Sequence, residues 1–239
     1  MRAQPYRGGS LFAQSGGRKY LNASERRRFF ESAQRLPPRE RLFCLTLAWS
    51  GARISEILAL TPAAIDIDSG VACIETLKRR KRGIVRQVPL PDNLLRDLDR
   101  VFRLRRRQRD PQLATERLWS WSRTTAWRHI KAIMTEAGIF GAPAMPKGLR
   151  HGFGVGAFQA NVPPHLVQRW LGHASLRTTA IYADVLGPEE RAFAARMWDA
   201  DAATLHGPTI STSPIACRVE TVQEMILGRP RRSSGLRRP

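Results

Sequence analysis

The segment GARISE at residues 51–56 contains a cation that could hold an anionic group. Arg53 stands three residues before Glu56, and side chains at this spacing lie on one face of a helix. Because the rest of this helix is largely apolar, an arginine at its start is awkward unless an anion meets it. A guanidinium keeps its proton and binds two phosphate oxygens at once. Exposed Arg–Glu pairs are also common on protein surfaces, so this segment alone leaves both interpretations open.

A second group of polar residues lies in the C-terminal half of the chain. The segment PKGLRHGFG carries Lys147, Arg150 and His151, and LGHASLRTTAIY places His173 nine residues before Tyr182. A phenol has an unperturbed pKa of about 10, so it attacks at neutral pH only where cations and a base favour the phenolate. Cations also neutralise the charge that the non-bridging oxygens of a phosphodiester gain in the transition state. Each of these segments alone is weak evidence, because a tyrosine is more often a packed or half-exposed aromatic side chain.

The composition indicates a polyanionic partner. Lysine and arginine number 40 against 20 aspartate and glutamate, which gives a net charge of +20. Nucleic acids and acidic membranes both attract such a chain. No apolar run approaches the ~20 residues of a membrane span, and the start MRAQPYRGGS lacks the apolar region of a signal peptide. We therefore expect a soluble, unexported, cytoplasmic protein with no membrane partner.

The three cysteines predict neither a metal site nor a disulfide framework. Cys44, Cys73 and Cys217 are far apart and match no CxxC or Cys/His spacing. Cys44 and Cys73 are typical of small core residues in a reducing compartment.

The apolar periodicity predicts a mainly α-helical, mixed α+β chain. Two β-branched segments, GVACIETLK and IVRQVPLP, flank the basic turn RRKRG, which is typical of a β-hairpin. Capping residues, prolines and glycines delimit the predicted helices at residues 25–36, 38–50, 53–60, 92–109, 122–137, 148–160, 163–172, 175–185 and 188–200. The sequence predicts a flexible basic arm over residues 1–20 and a folded domain over residues 21–201. It predicts a basic, disordered tail over residues 202–239.

In this order, the segments resemble the tyrosine recombinases, also called phage-type or lambda-type integrases. The resemblance covers about residues 20–200. The chain reads G-A-R-I-S-E at 51–56, V-P-L at 88–90, K-G-L-R-H at 147–151 and L-G-H at 171–173, followed by Tyr182. It implies a tyrosine-recombinase catalytic fold with a small antiparallel sheet at one edge, and site-specific integration, excision, inversion or resolution of DNA.

The resemblance also implies roles for individual residues. Tyr182 is the nucleophile that forms a 3′-phosphotyrosine, Arg53 and Arg150 bind the phosphate, and His173 contacts the phosphate or positions Tyr182. Glu56 and His151 support these arginines. No cofactor is implied. The other tyrosines, Tyr6 and Tyr20, precede the first predicted helix and lie in none of the matching segments.

A lysine in the hairpin is implied as the proton donor to the leaving 5′ oxygen. Lys78 and Lys81 compete for this role, and Lys78 is preferred because insertions fall in turns more often than in strands. The remaining hairpin cations are predicted phosphate contacts: Arg79, Arg80, Lys81, Arg82 and Arg86. Lys147 departs from the pattern, since the family usually has histidine at this position, and a lysine is a poor proton acceptor at neutral pH.

The chain resembles short, catalytic-domain-only members of the family, such as the fimbrial-switch invertases. We expect double-stranded DNA as the partner, a homotetramer on DNA, an accessory DNA-bending or partner protein, and a nucleoid location in a bacterial-type cytoplasm. The helix at 188–200 is the candidate contact between protomers. Three alternatives stay open: a type IB topoisomerase, a non-catalytic DNA-binding regulator and an RNA-binding protein.

Overall fold

The computed structural model describes residues 11–13, 16–77, 83–183, 191–192 and 194–199. The helices are α1 Ala23–Gln34, α2 Pro38–Ser50, α3 Ile54–Leu58, α4 Asp92–Phe102, α5 Leu104–Arg107, α6 Pro111–Thr115, α7 Arg123–Glu136, α8 Pro146–Gln159, α9 Pro164–Leu171 and α10 Leu176–Ala180. The strands are β1 Ile65–Asp66, β2 Val71–Glu75 and β3 Val85–Pro89. The chain divides into two compact units, Met1–Ala195 and Arg196–Pro239, and these elements all belong to the first.

The helix boundaries follow the local signals in the sequence. Asn22 caps α1 by accepting a hydrogen bond from the backbone N–H of Glu25 at 2.8 Å, and the Glu25 carboxylate accepts one from the backbone of Asn22. Helix α2 ends where Gly51 adopts a left-handed φ of 60°. This helix is buried nearly all round, as its apolar pattern predicts, and Phe43 packs edge-on against the rings of Trp119 and Trp121.

The predicted hairpin is confirmed as part of a three-stranded antiparallel sheet with the order β1-β2-β3. Strand β2 pairs with β3 from Val71↔Pro89 to Glu75↔Val85. Strand β1 was not predicted, because two residues are too few to show a period of two. Residues 78–82, which stand between the two strands in the sequence, lie outside the described residues.

The prediction of one continuous helix over residues 92–109 is wrong. Arg103 adopts a left-handed φ of 53°, which ends α4 and starts the short helix α5. The change of direction leaves both Phe102 and Leu104 buried in the main core. A basic run such as LRRRQR gives no local signal for this break, because no glycine or proline marks it.

The expectation of a flexible arm over residues 1–20 is wrong for its described part. Leu11 is buried, Tyr20 is only 1% exposed, and a β-bridge joins Phe12 to Arg18. The rings of Phe12 and Tyr20 meet edge-on with centroids 6.0 Å apart. Three apolar side chains in a polar segment form no period, so only the tertiary contacts show that the segment is packed.

The buried apolar residues form two clusters. The main cluster contains residues of α1 to α4, the sheet and α7. A smaller cluster joins Leu11 and Tyr20 to residues of α8 and α9 and to Tyr182. The predicted nucleophile therefore belongs to a core separate from the one that holds most of the domain. Among the described residues, no helix is long and apolar enough to cross a membrane.

Candidate active site

Arg53 is the residue that caps the start of α3, just after the turn at Gly51. Its side chain is 39% exposed, and its Nη1 donates a hydrogen bond to Glu56 Oε1 at 2.7 Å. The backbone N–H of Arg53 donates to the other carboxylate oxygen of Glu56 at 2.9 Å. Glu56 therefore holds both the backbone and the guanidinium of Arg53, which leaves the rest of that guanidinium facing outward.

The carboxylate of Glu56 is buried and paired with two arginines. Arg86 Nη2 donates to Glu56 Oε2 at 2.6 Å. Burial alone would raise the pKa of Glu56, but the charges of Arg86 and Arg53 and the backbone N–H of Arg53 together lower it. Glu56 is therefore ionised at neutral pH and serves as the fixed anion around which these two cations are arranged.

The sequence-based interpretation of Arg86 as a phosphate contact is wrong in this structure. The side chain is only 5% exposed, and besides Glu56 it donates to Thr76 Oγ1 at 3.0 Å and to the carbonyl of Trp170 at 2.8 Å. Arg86 thus ties β3 to α3 and α9. Side chains along β3 alternate between exposed and buried, so Arg86 lies on the inward face of the strand together with Val88.

Arg150 lies on α8 and is buried between two other parts of the site. Its Nη1 donates to the carbonyl of Gly51 at 2.7 Å, and its Nη2 donates to the carbonyl of Leu171 at the end of α9. Burial, followed by the charge of Arg53, lowers its pKa to about 10, so it stays protonated at neutral pH. The two carbonyls hold the guanidinium beside Arg53 without neutralising it.

The predicted cations meet at a cleft of about 250 Å³ that Arg53, Lys147 and Arg150 line together. The same cleft is lined by Arg123 and Trp127, from the first two turns of α7, which the sequence analysis missed. Trp127 is exposed although it is large and apolar. An exposed tryptophan four residues after an exposed arginine, on one helical face, is the signal that could have identified them.

Tyr182 follows α10 and is fully packed. It is 1% exposed, its ring lies parallel to that of His173 with centroids 6.2 Å apart, and its hydroxyl lies 3.1 Å from His151 Nδ1. Burial raises its pKa to about 12, although the charges of Arg150 and Arg53 act in the opposite direction. The predicted nucleophile therefore lies close enough to Arg150 and Arg53 for their charges to act on its pKa, yet its phenol is protonated and shielded from solvent.

The two histidines near Tyr182 differ in their contacts. Burial, with the charges of Lys147, Arg150 and Lys19, lowers the pKa of His151 to about 4, so its ring is neutral at pH 7. The sequence assigned His151 to the phosphate-binding arginine, whereas the structure places its Nδ1 on the hydroxyl of Tyr182. His173 Nδ1 lies 2.9 Å from Thr179 Oγ1, which fixes the imidazole against the ring of Tyr182.

Five predicted site residues lie outside the described part of the chain: Lys78, Arg79, Arg80, Lys81 and Arg82. The choice between Lys78 and Lys81 as proton donor therefore stays a prediction. Within the described ranges, no group of three or more His, Cys, Asp and Glu side chains is arranged to hold a metal ion.

Comparison with known proteins identifies the family of the chain. Residues 19–187 match the model of the phage integrase family. Tyrosine recombinase XerA of Pyrococcus furiosus is 32% identical over 171 residues, which cover 70% of this chain and 57% of that protein. Tyrosine recombinase XerD of Neisseria meningitidis serogroup A is 31% identical over 142 residues, 57% of this chain and 47% of that protein. The chain thus spans about half the length of the curated relatives it matches.

Solved structures show the same fold. A crystal structure of XerA recombinase matches with a TM-score of 0.60 and 24% identity, over 79% of this chain and 65% of that one. The post-cleavage complex of XerH site-specific recombinase with palindromic difH substrate matches with a TM-score of 0.61 and 23% identity, over 81% of this chain and 57% of that one. The predicted mainly helical fold with a small antiparallel sheet is confirmed, and the chain belongs to the phage integrase family of tyrosine recombinases.

Proposed function

We propose that this chain is a site-specific DNA recombinase or integrase that cleaves and rejoins DNA through a 3′-phosphotyrosine on Tyr182. The observation that carries the proposal is the cleft in which Arg53, Lys147 and Arg150 converge, with the Tyr182 phenol close enough for the arginines to act on its pKa. A net charge of +20 supports a nucleic-acid partner. The relatives named above are recombinases, and XerH is described in complex with its DNA substrate.

In the cleavage step the Tyr182 oxygen attacks the scissile phosphorus, and the bond from phosphorus to the 5′ oxygen breaks. Arg53 and Arg150 bind the two non-bridging oxygens, whose charge grows in the transition state. The 5′ oxygen leaves with a proton from the hairpin lysine, Lys78 or Lys81. As the phenol moves beside the arginines its pKa falls, and its proton is released to water.

The rejoining step reverses this chemistry. A 5′-hydroxyl attacks the phosphotyrosine, a new phosphodiester forms, and Tyr182 leaves as the phenol. Since one phosphoester bond is made for each one broken, the reaction needs no outside energy source. Lys147 donates to a phosphate oxygen at the same cleft. Arg123 and Trp127 extend the cleft along the DNA backbone, the first through a phosphate and the second against a sugar.

Strand exchange between two duplexes requires several protomers on paired sites. We propose a homotetramer on DNA, aided by an accessory DNA-bending or partner protein, at the nucleoid of a bacterial-type cytoplasm. Residues 191–192 and 194–199 are helical, in keeping with the predicted helix at 188–200. Removal of residues 188–239 should therefore impair strand exchange more than DNA binding, which sedimentation and recombination assays on paired sites measure.

Trapping the covalent complex tests the function. The full chain is incubated with DNA fragments from its own genetic neighbourhood, protein-linked DNA is recovered under denaturing conditions, and the attached ends are sequenced. Tyr182→Phe removes only one hydroxyl and should abolish the adduct while DNA binding persists. Tyr20→Phe is the matched control, because Tyr20 is an equally buried tyrosine of the same cluster, and it should keep the adduct.

Each outcome of this trapping experiment separates two functions. If the adduct still forms in Tyr182→Phe, Tyr182 is not the nucleophile. The adduct could also form normally but lead to relaxation of supercoils and never to exchange between duplexes. That result would indicate a type IB topoisomerase activity in place of recombination. Normal biological function of Tyr182→Phe would favour the DNA-binding regulator.

A further inference from the structure

The turn after α9 leads from a predicted phosphate-binding arginine to His173. The carbonyl of Leu171, the last residue of α9, accepts a hydrogen bond from Arg150 Nη2. Gly172 then adopts a left-handed φ of 63°, which ends the helix and turns the chain. A Cβ at this position would lie 3.1 Å from Arg86 Nη1, so a side chain would crowd that arginine. His173 therefore follows a turn whose path is set by contacts with two arginines.

Gln168 holds the backbone of His173 through two hydrogen bonds. The backbone N–H of His173 donates to the carbonyl of Gln168 at 3.1 Å, and the Gln168 Nε2 donates to the carbonyl of His173 at 3.2 Å. Because the backbone is fixed in this way, the rotation of the imidazole about its side-chain bonds is what remains to be set. That rotation decides which ring nitrogen points back into the protein.

The imidazole is held by Thr179, a residue of α10 that the sequence analysis did not single out. His173 Nδ1 lies 2.9 Å from Thr179 Oγ1, and Thr179 is fully buried. The imidazole also lies parallel to the ring of Tyr182, with centroids 6.2 Å apart. These two contacts fix the plane of the imidazole and the direction of Nδ1.

The direction of the hydrogen bond between Thr179 and His173 follows from the burial of the hydroxyl. A buried O–H needs an acceptor for its proton, because an unpaired donor is costly. Threonine in a helix often donates to the backbone carbonyl four residues earlier. Among the described residues, however, the Thr179 side chain has a single hydrogen bond, the one to His173 Nδ1. The hydroxyl therefore donates and Nδ1 accepts, which leaves the proton of a neutral imidazole on Nε2.

We propose that Thr179 is a positioning residue that fixes His173 as the Nε2–H tautomer, so that His173 donates a hydrogen bond to the scissile phosphate and does not act as the base for Tyr182. This inference rests on the proposed function, in which Tyr182 attacks that phosphate. Of the two roles implied for His173, the donor tautomer selects contact with the phosphate over positioning of Tyr182. A neutral donor there adds to the guanidiniums of Arg53 and Arg150, because the charge of the non-bridging oxygens grows in the transition state.

The tautomer of His173 is read directly in the full-length wild-type protein, by long-range ¹H–¹⁵N correlation NMR at pH 8, where an ordinary imidazole is neutral. The chain has five histidines, and the signal of His173 is the one that disappears in His173→Gln. We expect a proton on Nε2 and none on Nδ1. A proton on Nδ1, alone or together with one on Nε2, would overturn the inference.

Two substitutions at Thr179 separate the effect of its hydroxyl from that of its bulk. Thr179→Val keeps the shape and removes the hydroxyl, whereas Thr179→Ser keeps the hydroxyl and removes a methyl group. Thr178→Val is the matched control, because Thr178 is exposed on the same helix.

Cleavage by these variants is measured in single turnover on the duplex recovered by covalent trapping, at saturating protein. Thr179→Val should be about tenfold slower than wild type, which corresponds to the usual contribution of one neutral hydrogen bond. Thr179→Ser should recover most of that rate, and Thr178→Val should match wild type, with DNA affinity unchanged in all three. A threonine that only packs would give the reverse order, so a loss in Thr179→Ser as large as that in Thr179→Val would overturn the inference.

A double-mutant cycle tests whether Thr179 acts through His173. In His173→Gln, the side-chain amide can replace Nε2–H as a donor but offers no acceptor at the position of Nδ1, so part of the cleavage should remain. Adding Thr179→Val to His173→Gln should cause no further loss. A second loss of about tenfold, equal to that of one hydrogen bond, would overturn the inference, because Thr179 would then act by another route. Failure of the proposed function is distinct: wild type would form no adduct on Tyr182, and the NMR measurement would still locate the proton of His173.

Discussion

The predicted phosphate-binding cations and the predicted nucleophile are held by different kinds of contact. Arg53, Glu56 and Arg86 form an ion-pair network between α3 and β3 in which Glu56 and Arg86 are buried and Arg53 is partly exposed, and Arg150 is fixed by two backbone carbonyls. Tyr182 instead rests in a small apolar cluster on a glycine. The comparison indicates that the position of the predicted phosphate-binding cations depends on ion pairs and hydrogen bonds, whereas the position of Tyr182 depends mainly on apolar packing.

Removal of Arg86 should have the largest effect on the stability of the fold, because it would leave the buried Glu56 carboxylate with one partner fewer. Arg86→Ala should lower the free energy of unfolding by about 3–5 kcal/mol, measured by urea denaturation. Arg105→Ala is the control, since the pair of Arg105 with Asp68 is exposed and should contribute little. An equal, small effect of both variants would show that the network around Glu56 does not hold the site.

Loss of either predicted phosphate-binding arginine should slow the chemistry. Arg53→Ala and Arg150→Ala should each reduce single-turnover cleavage by about 10²–10³-fold, as expected when one donor to a developing oxyanion is lost. Arg53→Ala is the cleaner variant because its side chain is partly exposed. Normal cleavage by both variants would place the phosphate clamp elsewhere on the surface.

The contribution of the region around Tyr182 to the free energy of unfolding should depend on pH. The pKa of His151 falls from 6.5 to about 4 on folding, so the unfolded chain binds more protons between these values. The stability that comes from a neutral His151 is present above pH 6.5 and is lost as the pH falls towards 4, by on the order of 1–3 kcal/mol. Denaturation curves at pH 7 and pH 4.5 measure this loss.

His151→Phe supplies the control for that pH dependence, because phenylalanine does not titrate. The difference in unfolding free energy between pH 7 and pH 4.5 should be smaller in this variant. Glu56 contributes in the same direction but at lower pH: its folded pKa is depressed, so its stabilisation is lost only as the pH falls through that lowered value. An unchanged pH dependence in His151→Phe would show that His151 is not held neutral.

Local spacing was sufficient to predict the Arg53–Glu56 pair, the hairpin and most of the helices, whereas the roles of the site residues were implied by the family resemblance and stay predictions. Arg53 and Glu56 are three residues apart on one helix, and the hairpin and most helices are marked by prolines, glycines and caps. Contacts between distant segments were not predictable in this way. The pairing of Arg86 with Glu56 spans 30 residues and the contact of His151 with Tyr182 spans 31. Both depend on how β3, α8 and α10 pack, which no local pattern encodes.

Arg123 and Trp127, which the sequence analysis missed, line the cleft. Their loss should have the smallest effect of these changes, on DNA binding. Arg123→Ala should weaken DNA binding by a few-fold and reduce the salt dependence of the binding constant by about one unit of slope. Arg128 is the control: it is exposed on the same helix but does not line the cleft. Equal salt slopes for Arg123→Ala, Arg128→Ala and wild type would exclude Arg123 from the DNA interface.

The chemical identity of the covalent bond is the sharpest test of whether Tyr182 forms a 3′-phosphotyrosine with DNA. After the trapped complex is digested with trypsin and nuclease, mass spectrometry should find a nucleotide joined through its 3′-phosphate to the peptide that contains Tyr182. This adduct is expected in wild type and should be completely absent in Tyr182→Phe. A nucleotide attached to another residue, or joined through a 5′-phosphate, would contradict it.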